Sequence, residues 1–201
     1  MQLVLATNNN DKIKEIKALL DDLPVTVLTR DDFLEFINVE ETGTTLEENA
    51  ILKARAIFDL TGLPSLADDS GLAVDALDGE PGVYSSRYAG ENVTYADNNQ
   101  LLLVKLRGVA EDNRTARFSC VMAICWTAED IETVEGEVEG LIAEEIAGGE
   151  GFGYDPVFVY PPTGQRFSEM TLEEKNAVSH RGHALQKIRE VIINRTNRTR
   201  G

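Results

Sequence analysis

Two adjacent carboxylates, Asp68 and Asp69, follow the short apolar run Leu66-Ala67 and precede Ser70 and Gly71, where a buried strand is expected to end at a surface. Side by side, two acids repel. They coexist when a cation, a shared proton or basic neighbours neutralise them, and a hard divalent cation such as Mg²⁺ matches oxygen ligands best. A catalytic reading of the pair therefore asks for a metal. Behind it, Asp75, Asp78, Gly79, Pro81, Gly82 and Gly90 punctuate a turned loop that carries Tyr84, Ser85, Ser86, Arg87 and Tyr88. Taken alone, Asp-Asp-Ser-Gly is also the composition of an ordinary polar turn.

Four further stretches carry residue types suited to a phosphorylated ligand. Thr7, Asn8, Asn9 and Asn10 lead into Asp11 and Lys12 at the start of a helical pattern; backbone N–H groups there attract anions, and Lys12 would add positive charge, although an asparagine cap explains the same residues. It is not a P-loop, since the two glycines and the Lys-Ser/Thr pair are missing. Glu40-Glu41-Thr42-Gly43-Thr44 precedes a helix on which Asn49 and Lys53 share a face at i, i+4 spacing. Lys53 is then either an inward cation or a surface lysine. Gly148-Gly149-Glu150-Gly151-Phe152-Gly153-Tyr154-Asp155 combines glycines that let backbone approach a ligand with ring faces for a nucleobase. The last stretch, Glu173 to His183, holds Lys175, both histidines of the chain and Arg181, which can point at a phosphate or at a carbonyl acceptor on a base.

The elements that must position these residues read clearly in places. Leu3-Val4-Leu5 is a buried strand, and Ile13, Ile16, Leu19 and Leu20 give the helix after it an apolar stripe. A second strand is expected over Pro24 to Leu28. Thr45 with Glu48 forms a capping box for a helix to about Leu60 that Gly62 and Pro64 terminate, its Ala50, Ala54 and Ala56 slim enough for close packing. A helix follows over Tyr95 to Arg107, then a long hairpin from Arg114–Trp126 and Ile131–Leu141, with Phe118 and Trp126 assigned to the core. Val157 to Tyr160 is a strand, Ser179 a helix cap, and the last helix reaches about Asn194. The basic tail Arg195 to Gly201 is expected to fray.

At 201 residues the chain is read as one folding unit with a substantial core. Its net charge of −16 repels nucleic acid, so binding to that polymer is excluded as a role, and cations for a phosphate must be gathered locally. Cys120 and Cys125 lie five apart in a strand, on opposite faces, which argues against a bridge and fits reduced thiols in the cytoplasm. No run approaches membrane-spanning length.

Together the segments ATNNNDK at 6–12, EETGTTLEENAILKARA at 40–56, ADDSGLAVDALDGEPGVYSSRYAG at 67–90, GGEGFGYDPVF at 148–158 and EEKNAVSHRGHAL at 173–185 resemble the inosine triphosphate pyrophosphatase family, in family order and over nearly the full length. The resemblance implies an α/β fold, with an elongated mixed central sheet flanked by helices and two lobes with an active-site cleft between them. It further implies a homodimer and Mg²⁺-dependent hydrolysis of non-standard purine nucleoside triphosphates such as dITP, ITP and XTP between the α and β phosphates. By position, Thr7 to Lys12 are implied to contact the triphosphate, Glu41 and Asp69 the metal, and Asp69 to be the base for water, with Asp68 and Lys53 supporting that centre. Ser70, Phe152, Gly153, Tyr154, Asp155, Lys175, His180 and Arg181 match the family's nucleotide contacts. Asp11 departs from the pattern, standing where the family often has glycine.

Overall fold

The computed structural model describes residues 1–148 and 151–198, without the side chain of Arg198. Gly149 and Glu150 of the glycine-rich stretch, and residues 199–201 of the tail, lie outside the described residues. The chain is a mixed α/β fold whose central sheet is flanked by helices. In order it forms β1 (Gln2–Leu5), α1 (Asn10–Leu20), β2 (Thr26–Leu28), α2 (Leu46–Thr61), β3 (Ser65–Val74), β4 (Pro81–Gly82), α3 (Tyr95–Lys105), β5 (Thr115–Thr127), β6 (Asp130–Ile142), β7 (Phe158–Tyr160), β8 (Gln165–Arg166), α4 (Leu172–Val178) and α5 (His180–Arg198). The strand order is β2-β1-β3-β5-β6-β7-β8, with β4 on β3. β1 pairs in parallel with β2 and β3, while β6–β7 and β7–β8 are antiparallel.

The chain divides into two compact units, Met1–Asp69 with Cys120–Gly136 and Arg181–Gly201, and Ser70–Ser119 with Glu137–His180. In the first, strand alternation sorts the apolar side chains onto two faces. Leu3, Leu5, Leu66, Cys120, Met122, Ile124 and Trp126 pack with Ile16 and Leu20 of α1 and with Ala184, Leu185, Ile188 and Ile192 of α5. The intervening Val4, Ala6, Ala67, Val121, Ala123 and Cys125 pack with Ala50, Ala54 and Ile57 of α2. Cys120 and Cys125 thus lie in different clusters, as their spacing requires, and both are buried. In the second unit a core gathers around Phe118, whose ring lies 4.7 Å from that of Phe158 and parallel to that of Phe167 at 6.3 Å.

Boundaries differ from the sequence reading by a residue or two at β2, which begins at Thr26 rather than Pro24, and at α3, which ends at Lys105 rather than Arg107, and by more at two places. The strand expected to end at Asp68 and Asp69 runs on to Val74, because Leu72 and Ala73 pair antiparallel with Gly82 and Pro81, so the two acids sit in mid-strand. The tail expected to fray from Arg195 is helical to Arg198: Arg195 Nη2 donates to Asp130 Oδ2 at 2.6 Å and its guanidinium lies 5.2 Å from the Trp126 ring centre. Among the described residues no helix is long and apolar enough to cross a membrane.

Candidate functional site

The alternation that sorts the first unit's core also separates Asp68 from Asp69. Asp68 shares the parity of Leu66 and so belongs to the α1/α5 face, while Asp69 shares that of Ala67 and belongs to the α2 face. Asp68 is 1% exposed, and its Oδ2 lies 2.9 Å from Lys12 Nζ of α1 and 3.3 Å from Arg181 Nε of α5. Arg181 Nη1 in turn lies 2.6 Å from Oε2 of Glu15, which is also buried. Lys12 is placed by the helix start. Asn9 caps α1, its Oδ1 accepting from the N–H groups of Asp11 at 2.9 Å and Lys12 at 3.3 Å, and Thr7 Oγ1 accepts from Asn9 N–H at 3.2 Å. Asn8 donates to Asn38 Oδ1 at 3.1 Å, and Asp11 is turned toward Lys14 at 3.9 Å with a half-exposed side chain.

On the other face Lys53 Nζ lies 2.7 Å from both Asp69 Oδ1 and Glu41 Oε1. The sequence left Lys53 as inward cation or surface lysine; it is inward. The loop bearing Glu41 is tied to the start of α2 by the capping box, in which Glu48 accepts from Thr44 and Thr45 while Thr45 accepts from Glu48 N–H. Gly43 N–H also donates to Asn49 Oδ1 at 2.8 Å. A Cβ on Gly43 would meet that oxygen at 2.6 Å, so the docking needs glycine. Asn49, with no solvent exposure, donates from Nδ2 to Asp69 Oδ2 at 3.3 Å and so couples loop, helix and strand.

Burial by itself would push Asp68 up, but Lys12, Arg181 and Lys53 outweigh it and hold the carboxyl well below the ordinary aspartate range. Asp69 moves the other way. Burial raises it, Lys53 opposes, Glu41 adds to the rise, and the result stands above the ordinary value. Burial pulls Lys53 down, yet Asp69 and Glu41 more than compensate, so the ammonium stays charged. Neighbouring residues of one strand are thus prepared differently: Asp68 as a permanent anion, Asp69 as a better proton acceptor.

The second unit gathers the glycine-rich stretch and α4. Lys175 Nζ lies 2.7 Å from Asp155 Oδ2 and 4.4 Å from the centre of the Phe152 ring. Asp155 Oδ2 also accepts from Phe152 N–H at 2.9 Å. This turn requires Gly151, with φ of 125°, since an added Cβ would lie 2.8 Å from Asp155 Cβ and Oδ2. Gly153 O accepts from Asn99 Nδ2 of α3 at 2.8 Å. Phe152 is half-buried, with Tyr95 tilted against it at 6.2 Å. Ser70 is half-buried at the start of this unit's share of β3.

Two residues read as ligand contacts are enclosed. Tyr154 is 4% exposed in the Phe118 cluster and its hydroxyl donates to Ser85 O at 2.9 Å, so its ring is a core element and no open face for a base. Burial raises that phenol, which keeps it a donor. His180 is 3% exposed and stacks on Phe118 at 4.5 Å and 7°. Arg181, which the sequence left between phosphate and base, has its guanidinium on Asp68 and Glu15. Glu15 and Asn99 were not singled out in the sequence. Each is a polar residue within a helix's apolar spacing, a weak signal that burial makes plain.

These features define a class: an α/β protein that holds strand-borne carboxylates among buried cations, beside a capped helix start bearing a lysine. The chain belongs to the Ham1 family, whose model matches residues 3–191. It is 51% identical over 189 residues to a dITP/XTP pyrophosphatase of Geobacter sulfurreducens, covering 94% of this chain and 95% of that one. With a dITP/XTP pyrophosphatase of Salmonella typhimurium the identity is 48% over 195 residues, 96% and 98% of the two chains. Among solved structures, a HAM1 protein from Coxiella burnetii superimposes with a TM-score of 0.89 at 43% identity, over 96% of this chain and 99% of that one.

Proposed function

We propose that the protein is a nucleoside triphosphate pyrophosphatase that hydrolyses the non-standard purine nucleotides dITP, ITP and XTP to monophosphate and pyrophosphate, clearing them from the nucleotide pool. The observation that carries this reading is Lys53 Nζ, held 2.7 Å from both Glu41 and Asp69 on the face opposite the Asp68 cluster. It sets a carboxylate of raised proton affinity beside a cation of the kind a polyphosphate requires.

In this reading Lys12 and the backbone of Thr7 to Asp11 receive the triphosphate. Asp69 accepts a proton from water as the water oxygen bonds to phosphorus and the linkage between the α and β phosphates breaks. A carboxyl whose proton affinity is raised above the ordinary aspartate value suits a general base. Asn49 fixes its orientation and Lys53 the electrostatic balance, while Asp68, permanently ionised, holds Lys12 and Arg181 in place. For the base and its attached groups, Phe152 is the ring proposed to stack, Lys175 and Asp155 fix that ring's loop, and Ser70, Gly153, Tyr154 and His180 contribute through backbone or as support.

Glu41 and Asp69 also fit Mg²⁺. Both present oxygen to one cation already, and Mg²⁺ commonly takes one or two carboxylates with phosphate oxygens and water completing its shell. Among the described residues no group of three or more metal-ligating His, Cys, Asp or Glu side chains stands together, and Glu41 and Asp69 are the two carboxylates proposed to hold the ion. When bound, the ion would neutralise charge on the phosphates. The family resemblance also supports a cytoplasmic homodimer, which sedimentation would test.

The test of function is direct measurement of monophosphate and pyrophosphate released from inosine, xanthosine and the four ordinary triphosphates with Mg²⁺. A 6-oxo purine presents an acceptor where adenine presents a donor, so inosine and xanthosine triphosphates should lead, guanosine follow and adenosine come last. Release of phosphate alone, or equal efficiency on adenosine and inosine triphosphates, would overturn the proposal.

A further inference from the structure

Glu15 is a buried carboxylate to which the mechanism above assigns no task. It lies three residues after Lys12 on α1, 3% exposed, with Oε2 2.6 Å from Arg181 Nη1. Through Arg181 it connects to Asp68, and through Asp68 to Lys12. A buried acid is costly unless paired, and apolar residues of similar volume often serve stability as well as a buried ion pair does. Its presence therefore calls for a reason beyond packing.

Charge balance supplies one. Among the described ion pairs, those centred on Asp68 and Asp69 join three cations, Lys12, Lys53 and Arg181, to four carboxylates, Glu15, Glu41, Asp68 and Asp69, one negative charge in excess. Without Glu15 the same set would be neutral. Arg181 is 2% exposed and anchored at both ends, whereas Lys12 keeps a 17% exposed side chain and shares the Asp68 oxygen with it. Lys12 is thus the partner able to leave Asp68 for an incoming anion, and Arg181 the one that stays.

We propose that Glu15 is a positioning residue acting through Arg181: it keeps Arg181 on Asp68 and holds the centre one charge negative, so that polyphosphate binds weakly until a divalent cation accompanies it. The inference rests on the phosphate reading of Lys12 given above. Its consequence is the reverse of what a merely structural residue would give. Loss of a structural residue loosens the site and weakens anion binding in step with stability; loss of a counterweight strengthens binding while stability falls.

The test is calorimetric titration of the whole protein with inorganic pyrophosphate at low salt and without divalent cations, alongside thermal unfolding. Glu15→Gln should lower Tm yet bind pyrophosphate about fivefold tighter or more, the scale of one unit charge acting through protein. The gain should shrink with added salt. Glu15→Asp, which keeps the charge with less reach, should also lower Tm but bind within about twofold of the parent. Should Glu15→Gln not fold, Glu15→Asp decides: affinity that weakens in step with Tm overturns the inference. Glu15→Gln that folds and binds no tighter overturns it alone if the parent hydrolyses inosine triphosphate to pyrophosphate. A parent that releases no pyrophosphate from any nucleotide overturns the functional reading and this inference with it.

Discussion

Replacing Lys53 with methionine removes the ammonium that bridges Glu41 and Asp69 while keeping most of the stem's volume. Both carboxylates now lie 2.7 Å from that nitrogen, so the change leaves two facing acids with no cation between them. Removing one partner of a buried ion pair costs ~3–5 kcal/mol, and the lower end applies because Glu41 keeps a 25% exposed side chain that water can reach. For a chain of this length each kcal/mol moves Tm by ~2–4 °C, so Lys53→Met should lower it by roughly 6–12 °C. The loss should depend on pH. Lys53 is one of the groups holding Asp69 down, so without it the folded carboxyl rises further above its unfolded value of about 3.9 and binds more protons folded than unfolded. Stability of the variant then falls as pH rises, and the deficit is smallest near the unfolded value and complete above the folded one. Millimolar Mg²⁺ should recover part of the deficit at neutral pH, more than it adds to the parent, if Glu41 and Asp69 receive the ion. Thermal unfolding across pH, with and without Mg²⁺, reads all three effects. A Tm within about 1 °C of the parent at neutral pH would refute the account of Lys53 as the neutralising centre of this face.

Asp69→Asn conserves volume but removes the proposed base, and turnover of inosine triphosphate should fall by at least ~10²-fold with the fold retained by circular dichroism; a few-fold change would remove Asp69 from that role. Gly151→Ala forces φ of 125° on a residue with a Cβ, 2.8 Å from Asp155, so the Asp155–Lys175 pair should be displaced, at a cost of ~1–3 kcal/mol in urea unfolding. An unchanged midpoint would mean that the loop relaxes without strain. Asn99→Ala deletes the donor to Gly153 O and should raise KM about threefold to tenfold with kcat nearly unchanged, because that bond is worth about 1 kcal/mol and lies away from the acids. A kcat loss with constant KM would count against a role in positioning the loop.

What the sequence disclosed, it disclosed through local chemistry. The Thr45–Glu48 box and Gly62, with φ of 67°, bound α2 as the cap residues required, and i, i+4 spacing placed Asn49 and Lys53 on the buried face. Asn9 fulfils the cap that its position after β1 implied. What it concealed depended on distant partners. Ser70 and Gly71 look like punctuation, yet pairing of Leu72 and Ala73 with β4 carries the strand through them. Tyr154 reads as an exposed ring among glycines, and only the packing of Phe118, some forty residues earlier in the chain, encloses it. Glu15 and Arg181 are 166 residues apart, beyond the reach of any spacing rule.

The adjacent aspartates show how tertiary structure changes the terms of a local electrostatic problem. Along a chain Asp68 and Asp69 are neighbours whose charges oppose one another, and a metal between them would relieve the conflict. In a strand they face opposite sides, and each pairs directly with different cations, Lys12 and Arg181 for one and Lys53 for the other, while Lys53 also acts on Asp68 and Lys12 on Asp69 at longer range. Side chains alone therefore offset the repulsion within the pair while leaving the centre one charge negative, and Mg²⁺ is not required to make the pair tolerable. In the proposed reading the ion's place shifts from holding the site together to accompanying the phosphates, where two carboxylates already drawn toward one ammonium would receive it. On the proposed reading, folding without metal and turnover only with it are the expected outcome of that separation, since Lys12 of α1, Lys53 of α2 and Arg181 of α5 already meet the acids.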